Sequence, residues 1–313
     1  MRQYIFGIDI GGTGIKCGCF SDSGTMLGKW EISTPRTANA LLSDVSQLIR
    51  QIMIEQGIAQ EAVLGVGIGV PGAIDIHGRV VALPANVALP STDLAGAFSQ
   101  ELGFPVKIVN DANAAALGEQ WQGAGKGCKN LVMVTLGTGV GGGIIVDGHI
   151  VTGAFGAGGE IGHISVCDDE NDKCGCGQKG CLEQYASATG VVRLAERRLL
   201  QDTMPSSLRA GVLSAKRVFD SVKDGDAIAC AVAEEFGAFL SKGLAMVAQV
   251  TDPELFVIGG GVSNAGDVIL QYLKPAYEKR ISGRSKRASI LLAKLGNDAG
   301  IFGAASLFAE EAR

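Results

Sequence analysis

One local plan occurs twice in this chain. Tyr4–Ile10 reads as a strand, Gly11-Gly12-Thr13-Gly14 as a turn, residues 15–20 as a strand, Ser21-Asp22-Ser23-Gly24 as a turn and 26–32 as a third strand. Near residue 130 the plan restarts. Leu131–Leu136 is strand-like, Gly137-Thr138-Gly139 is a turn, 143–146 is a strand, Asp147-Gly148 is a tight hairpin turn and 149–152 is the next strand. Short apolar runs punctuated by Gly and Asp are the signature of strands joined by hairpins. A duplication of this kind predicts two α/β halves facing each other across a cleft.

The segments between the two copies support that class. Leu41, Leu42, Val45, Leu48, Ile49, Ile52 and Met53 fall on one face of a helix over about 38–56, and Gly57 stops it. Residues 63–70 read as a buried strand ending at Pro71-Gly72, 94–102 as a short helix and 106–109 as a strand. Asn110-Asp111 then opens a helix running to about Gln122. The second half carries a long insertion, about 153–225, followed by a helix over 227–250, a strand over 255–258, Gly259-Gly260-Gly261 and a last helix over 299–309. The expected domains are 1–118, joined by the C-terminal helix at about 297–313, and 119–296 with the insertion.

Composition narrows the functional classes. The 313 residues are 47% hydrophobic and 19% charged, enough apolar matter for two cores and far from a disordered chain. A net charge of −5 disfavours a general nucleic-acid or anionic-membrane surface. No apolar run approaches the roughly 18 residues of a membrane span, and the N-terminal segment lacks a secretory apolar core. These features predict a cytoplasmic protein with no nucleic-acid or membrane partner. Eight cysteines in such a chain argue against a disulfide framework. Cys17, Cys19, Cys128 and Cys230 lie in or beside apolar stretches and read as packing or surface residues.

Three groups of residues carry chemistry. The first is the pair of glycine loops, Gly11-Gly12-Thr13-Gly14 with Asp9 and Lys16 nearby, and Gly137-Thr138-Gly139 continuing to Gly143. Glycines let backbone N–H groups point at phosphate oxygens, and Thr adds a hydroxyl donor. Each alone is also an ordinary hairpin turn; two equivalent loops predict a nucleotide site. Gly137, Gly139 and Gly142 satisfy the spacing of a dinucleotide fingerprint, but a strand and hairpin follow where that fingerprint needs a helix. Gly125-Lys126-Gly127 lacks the Ser or Thr of a Walker loop.

The second group is Asn110-Asp111, at the carboxyl end of a strand and the start of a helix. One reading is a helix cap. The other is a ligand site, because α/β sheets bind ligands at strand carboxyl ends; a carboxylate there can accept a proton from a sugar hydroxyl while the amide fixes another. The third group is His163 with Cys174, Cys176 and Cys181. One imidazole and three thiolates match a structural zinc set. The alternatives are packing cysteines or a redox pair in Cys174-Gly175-Cys176. Residues 168–172 are acidic and cannot form a core strand; Cys167 reads as a spare rather than a ligand.

Together, residues 9–13, 110–116, 136–143, Gly159-Glu160-Ile161-Gly162-His163, the cysteine segment 174–187 and Gly259-Gly260-Gly261 resemble the ROK family of repressors, open reading frames and sugar kinases. Within it the chain is most similar to bacterial ATP-dependent glucokinases. The resemblance implies two actin-like, ribonuclease H-like domains with an interdomain cleft and a zinc-binding insertion. It implies transfer of the γ-phosphate of ATP to the 6-hydroxyl of glucose, with Asp111 as base. The implied sugar contacts are Asn86, Asn110, Asp111, Glu160, His163 and Glu183. The ATP and Mg²⁺ site comprises Asp9, Gly11, Gly12, Thr13, Lys16, Gly137, Thr138, Gly139, Gly260 and Gly261, and Zn²⁺ sits on His163, Cys174, Cys176 and Cys181. A homodimer is implied as well. The segment Pro84-Ala85-Asn86-Val87 lacks the family's usual Trp, and Leu182 stands where an aromatic is common. The shared motifs leave open a kinase for N-acetylmannosamine, N-acetylglucosamine, fructose, allose or a β-glucoside. Regulators in the family carry an N-terminal helix-turn-helix domain; here the first phosphate loop opens by residue 9, so an enzyme is expected.

Overall fold

The computed structural model describes residues 3–75, 77–80, 87–89, 93–281 and 288–309. It divides into two compact units: Met1–Lys129 with Gly143–Gly159 and Asn297–Arg313, and Asn130–Gly142 with Glu160–Gly296.

In the first unit, β1 (Tyr4–Ile10), β2 (Gly14–Ser21) and β3 (Met26–Ser33) form an antiparallel meander. β4 (Val63–Val70) and β5 (Val106–Asn110) add in parallel on the other side of β1, giving the order β3-β2-β1-β4-β5. The period of two along β1 decides what each face meets. Phe6, Ile8 and Ile10 join the core formed with α1 (Ala38–Gln56) and α2 (Leu94–Leu102), where Leu41, Val45, Ile49 and Phe98 are fully buried. Ile5, Gly7 and Asp9 face the opposite way, toward α9 (Ala299–Ser306). α1 has the predicted bounds because both ends are capped. The Thr37 side chain accepts from Ala40 N, and Gly57 takes the left-handed conformation at φ 62°.

The α9 face is built for close approach. α9 crosses α3 (Asp111–Gln122) so tightly that a methyl group on Gly303 would overlap the Ala114 carbonyl, 2.5 Å from its carbon and 2.8 Å from Gly118 N. On the sheet side, a methyl on Gly67 would overlap Ala304 O. α9 is therefore wedged between α3 and the sheet with no slack on either side.

The second sheet runs β10-β9-β6-β7-β8. Its strands are β6 (Leu131–Leu136), β7 (Val140–Val146), β8 (His149–Ile150), β9 (Leu255–Gly259) and β10 (Ser289–Leu292). β6, β9 and β10 are parallel, and β7 and β8 form an antiparallel hairpin. The insertion, undivided in the sequence reading, holds α4 (Glu183–Ala186), α5 (Ala188–Gln201) and α6 (Ala215–Lys223). All three pack on α7 (Ala227–Thr251), as does α8 (Asp267–Arg280).

Three boundaries differ from the sequence expectation. β7 starts at Val140, inside the stretch read as loop. β8 ends at Ile150, because only Ile145↔Ile150 and Val146↔His149 pair. α9 stops at Ser306, and the chain then tightens into i→i+3 bonds, Phe308 N to Ala305 O and Ala309 N to Ser306 O, both 3.1 Å. No helix among the described residues is long and apolar enough to cross a membrane.

Candidate functional site

In the first unit the predicted residues gather at the carboxyl ends of β1 and β5. Asn110 is the N-cap of α3: its Oδ1 accepts from Asn113 N at 3.0 Å. Its Nδ2 donates to Gly72 O at 3.0 Å and to Asp111 Oδ1 at 2.9 Å. Asp111, the first helical residue, is exposed, and its Oδ1 also takes Ala112 N at 2.8 Å. The cap reading therefore belongs to Asn110, while Asp111 presents an oriented carboxylate to solvent.

Asp9 lies opposite Lys16 in the β1–β2 register and beside Gly300, where a methyl group would stand 2.7 Å from Asp9 Oδ2. Burial pushes its carboxyl above the usual range; Lys16 opposes this, and the charge of Asp111 adds to it. Two acids thus feel each other at one end of the sheet, and a cation or a proton relieves them. The Lys16 amino group donates to Asn297 O at 2.9 Å. The first glycine loop is closed by Gly11 N to Gly14 O at 3.0 Å and braced by the Thr34 hydroxyl, which donates to Gly11 O at 2.6 Å. Gly12 and Thr13 stand exposed at its tip. Asn86 lies outside the described residues.

In the second unit the loop Gly137-Thr138-Gly139 is closed by Gly137 N to Gly139 O at 2.9 Å, with Thr138 exposed. Three bonds staple it to the insertion. Ala188 N donates to Gly137 O at 2.8 Å, the Thr189 hydroxyl to Thr138 O at 2.9 Å, and Val140 N to Glu183 Oε2 at 3.0 Å. Gly260, at φ 81°, follows β9, and a methyl there would sit 2.6 Å from Leu136 N, while Gly261 has open space around it.

His163, Cys174, Cys176 and Cys181 come together, their donor atoms all within 4.8 Å of one another. Cys174 Sγ lies 3.7 Å from His163 Nδ1, and Cys176 Sγ lies 3.6 Å from Cys181 Sγ. A tetrahedral zinc with bonds of about 2.3 Å needs donor separations of about 3.8 Å. Burial, then the neighbouring Cys176 and Cys174, push the Cys181 thiol up to about 12. Three thiols this close ionise together only around a cation. Geometry and chemistry thus both fit zinc. With Nδ1 turned to the thiols, His163 Nε2 points away from them and lies 3.9 Å from Glu160 Oε2. Glu183 borders the cluster, its Oε1 3.5 Å from Cys174 Sγ.

Sequence reasoning missed the scaffold behind this loop. Glu170, within the acidic stretch 168–172, is buried and bound by Arg193, Arg197 and Tyr185. Arg193 and Arg197, spaced i and i+4 on α5, were the visible signal; nothing local marked Glu170 as their partner.

The description of the ROK family matches residues 5–311. A glucokinase from Halalkalibacterium halodurans is 38% identical over 309 residues, covering 96% of this chain and 93% of that protein. A glucokinase from Streptomyces coelicolor is 35% identical, covering 97% of each. A crystal structure of a ROK family glucokinase from Streptomyces griseus, in complex with glucose and AMPPNP, matches with a TM-score of 0.78 at 35% identity, over 97% of this chain and 98% of that one. With its two mixed sheets and its His/Cys cluster, the chain belongs to the ROK family and has the α/β ROK sugar kinase fold.

Proposed function

We propose that this protein is a glucokinase, transferring the γ-phosphate of ATP to the 6-hydroxyl of glucose. The observation that carries the reaction type is Asp111: an exposed carboxylate at a strand's carboxyl end, oriented by Asn110 Nδ2 and Ala112 N. The choice of glucose rests on the relatives, which are named glucokinases over nearly their full length.

In this reading Asp111 orients the 6-hydroxyl and takes its proton as the O–P bond forms. Asn110 fixes the direction of Asp111 and contributes an amide oxygen to the sugar. Glu160, His163 and Glu183 take further hydroxyls, as does Asn86. His163 is suited to this because its Nδ1 faces the thiols, and zinc held there would leave the ring proton on Nε2 as a donor. Backbone N–H groups and hydroxyls at Gly12, Thr13, Thr138 and Gly139 receive phosphate oxygens, while Gly11 and Gly137 close the two loops that present them. Lys16 adds positive charge near the first of these loops, and Gly260 and Gly261 border the adenosine. Bound Mg²⁺ would neutralise charge developing on the transferred phosphoryl group; Asp9, poised beside Asp111, would hold it through water. Zinc on His163, Cys174, Cys176 and Cys181 would supply a rigid cross-link for the sugar-contacting loop.

The resemblance extends the proposal to two actin-like domains, 1–118 with about 297–313 and 119–296, and to a cytoplasmic homodimer. The test is a coupled ADP assay over glucose, fructose, allose, N-acetylmannosamine, N-acetylglucosamine and a β-glucoside. ADP should form with glucose in the presence of Mg²⁺, and phosphorus NMR should show a 6-phosphate. No ADP with any sugar refutes the kinase; ADP only with an N-acetylated sugar refutes glucose.

A further inference from the structure

We propose that Glu170, gripped by Arg193 and Arg197, is the positioning residue that keeps the His/Cys loop ready for its ligands and so sets the affinity for the hexose. The proposal rests on the reading of that loop as metal-holding and sugar-contacting.

The Glu170 side chain is 1% exposed and fully engaged. Its Oε2 accepts from Tyr185 OH at 2.5 Å, Arg193 Nη2 at 2.6 Å and Arg197 Nη1 at 3.1 Å. Its Oε1 accepts from Arg197 Nη2 and from Asp172 N, both at 2.9 Å. Burial raises its carboxyl pKa, but the bonds from Arg197, Arg193 and Tyr185 outweigh burial and hold it well below the usual range. Asp172 shares both arginines at 2.9 Å each.

From this knot the bonds run to both ends of the cysteine segment. Asp172, two residues before Cys174, accepts at its carbonyl from Gln184 Nε2 at 3.0 Å. Gln184 Oε1 in turn accepts from Cys181 N at 3.1 Å, and Gln184 neighbours Glu183. α5 thus fixes the spacing of Cys174 and Cys181 through Glu170, Asp172 and Gln184.

A buried ion pair is seldom worth more stability than apolar packing of the same volume. What this one supplies is geometry: bidentate Arg–carboxylate bonds have fixed direction as well as strength. Groups that orient metal ligands typically change metal affinity or activity about 10–100-fold when removed.

The test uses the full chain loaded with zinc, as wild type, Glu170→Gln and Arg197→Lys. Arg193 and Arg197 are 20% and 41% exposed, so water can take up the arginines that Glu170→Gln releases and the chain should still fold. Arg197→Lys keeps the charge, loses the fork and covers the case in which Glu170→Gln does not fold. Three readouts are taken: zinc transfer to a chromogenic chelator, hydrogen exchange over residues 167–182, and KM for glucose and for ATP. Glu170→Gln should speed zinc transfer about 10-fold or more and raise the glucose KM by a similar factor. Exchange over 167–182 should quicken, with the ATP KM within about two-fold of wild type. Arg197→Lys should fall between the two.

A variant that melts earlier while zinc transfer, loop exchange and the ratio of the two KM values stay at wild-type levels overturns the proposal, leaving Glu170 a stability residue only. Wild type that makes no ADP from any hexose would instead refute the kinase reading, and loop exchange would still decide the role of Glu170.

Discussion

Gly303→Ala tests the crossing that holds Asp111 and Asp9 in place. In an open helix this change would help, because Ala exceeds Gly by up to about 1 kcal/mol in helix propensity. Here the new methyl would stand 2.5 Å from Ala114 C and 2.8 Å from Gly118 N, both backbone atoms of α3. An ordinary carbon contact is about 3.5–4.0 Å, so relief requires movement of about 1 Å or more. α9 cannot retreat, since Ile301 O and Ala304 O already press on Gly7 and Gly67 of the sheet. Overpacking of this kind costs about 1–3 kcal/mol, sometimes more. Because each of these close neighbours is backbone, the upper end of that range applies, and after subtracting the propensity gain we expect a loss of about 2 kcal/mol. At roughly 2–4 °C per kcal/mol that is a fall in melting temperature of about 4–8 °C.

The displacement falls on the helix that begins with Asp111, so turnover should fall too, by up to about 100-fold for a 1 Å misplacement. Scanning calorimetry and the ADP assay read the two effects. Gly96→Ala in α2 is the control, because its nearest neighbour is the Asp93 side chain that caps the helix through Gly96 N, so its cost is bounded by the loss of that cap, about 1 kcal/mol. Gly303→Ala melting at or above wild type would refute the argument, for then propensity outweighs the overlap.

Other expectations are more direct. Asp111→Asn keeps size and local bonding but loses the proton acceptor, so ADP formation should fall at least about 100-fold with melting unchanged; early melting with near-normal turnover would make Asp111 a structural residue. Asp9→Asn should melt higher than wild type at pH 7, because burial and the charge of Asp111 outweigh the help from Lys16 and make a carboxylate costly at this position. The carboxyl value is raised on folding, so that cost grows as pH rises above 3.8 and the gap should close as pH falls toward it; a gap constant with pH refutes the cause. Metal analysis should find one zinc per chain, and Cys176→Ser should lose it and weaken hexose binding; far less than one equivalent in the wild type refutes the metal reading.

Legibility from sequence followed locality. α1 was readable because its apolar stripe and its stopping glycine lie within about 20 positions, and the Thr37 cap the structure adds is equally local. The end of β5 and the start of α3 were equally plain, since Asn110 and Asp111 act on neighbours one to three residues away. The His/Cys cluster was visible by residue type, although the 3.7 Å approach of His163 to Cys174 closes an 11-residue gap. The insertion was not readable. Its helices gather on α7, and nothing near Glu170 marks it as buried, because its partners stand 23 and 27 positions later on α5. Asn110's share in orienting Asp111 was missed for a smaller reason: a cap and a catalytic support look alike until the amide's second bond is seen.

The bond from Val140 N to Glu183 Oε2 has a bearing on how such chains diverge. Any side chain at position 139 would overlap that same oxygen and lie 3.1 Å from Glu183 Cδ. Positions 139 and 183 are therefore a single heritable character spread over two codons. Alanine at 139 would push the flexible Glu183 carboxylate off Val140 N and so cost the staple rather than the fold, and a lineage that gives up the acid loses the reason to keep glycine. Glycine at 139 and the acid at 183 should therefore be lost together on any branch that gives up this staple.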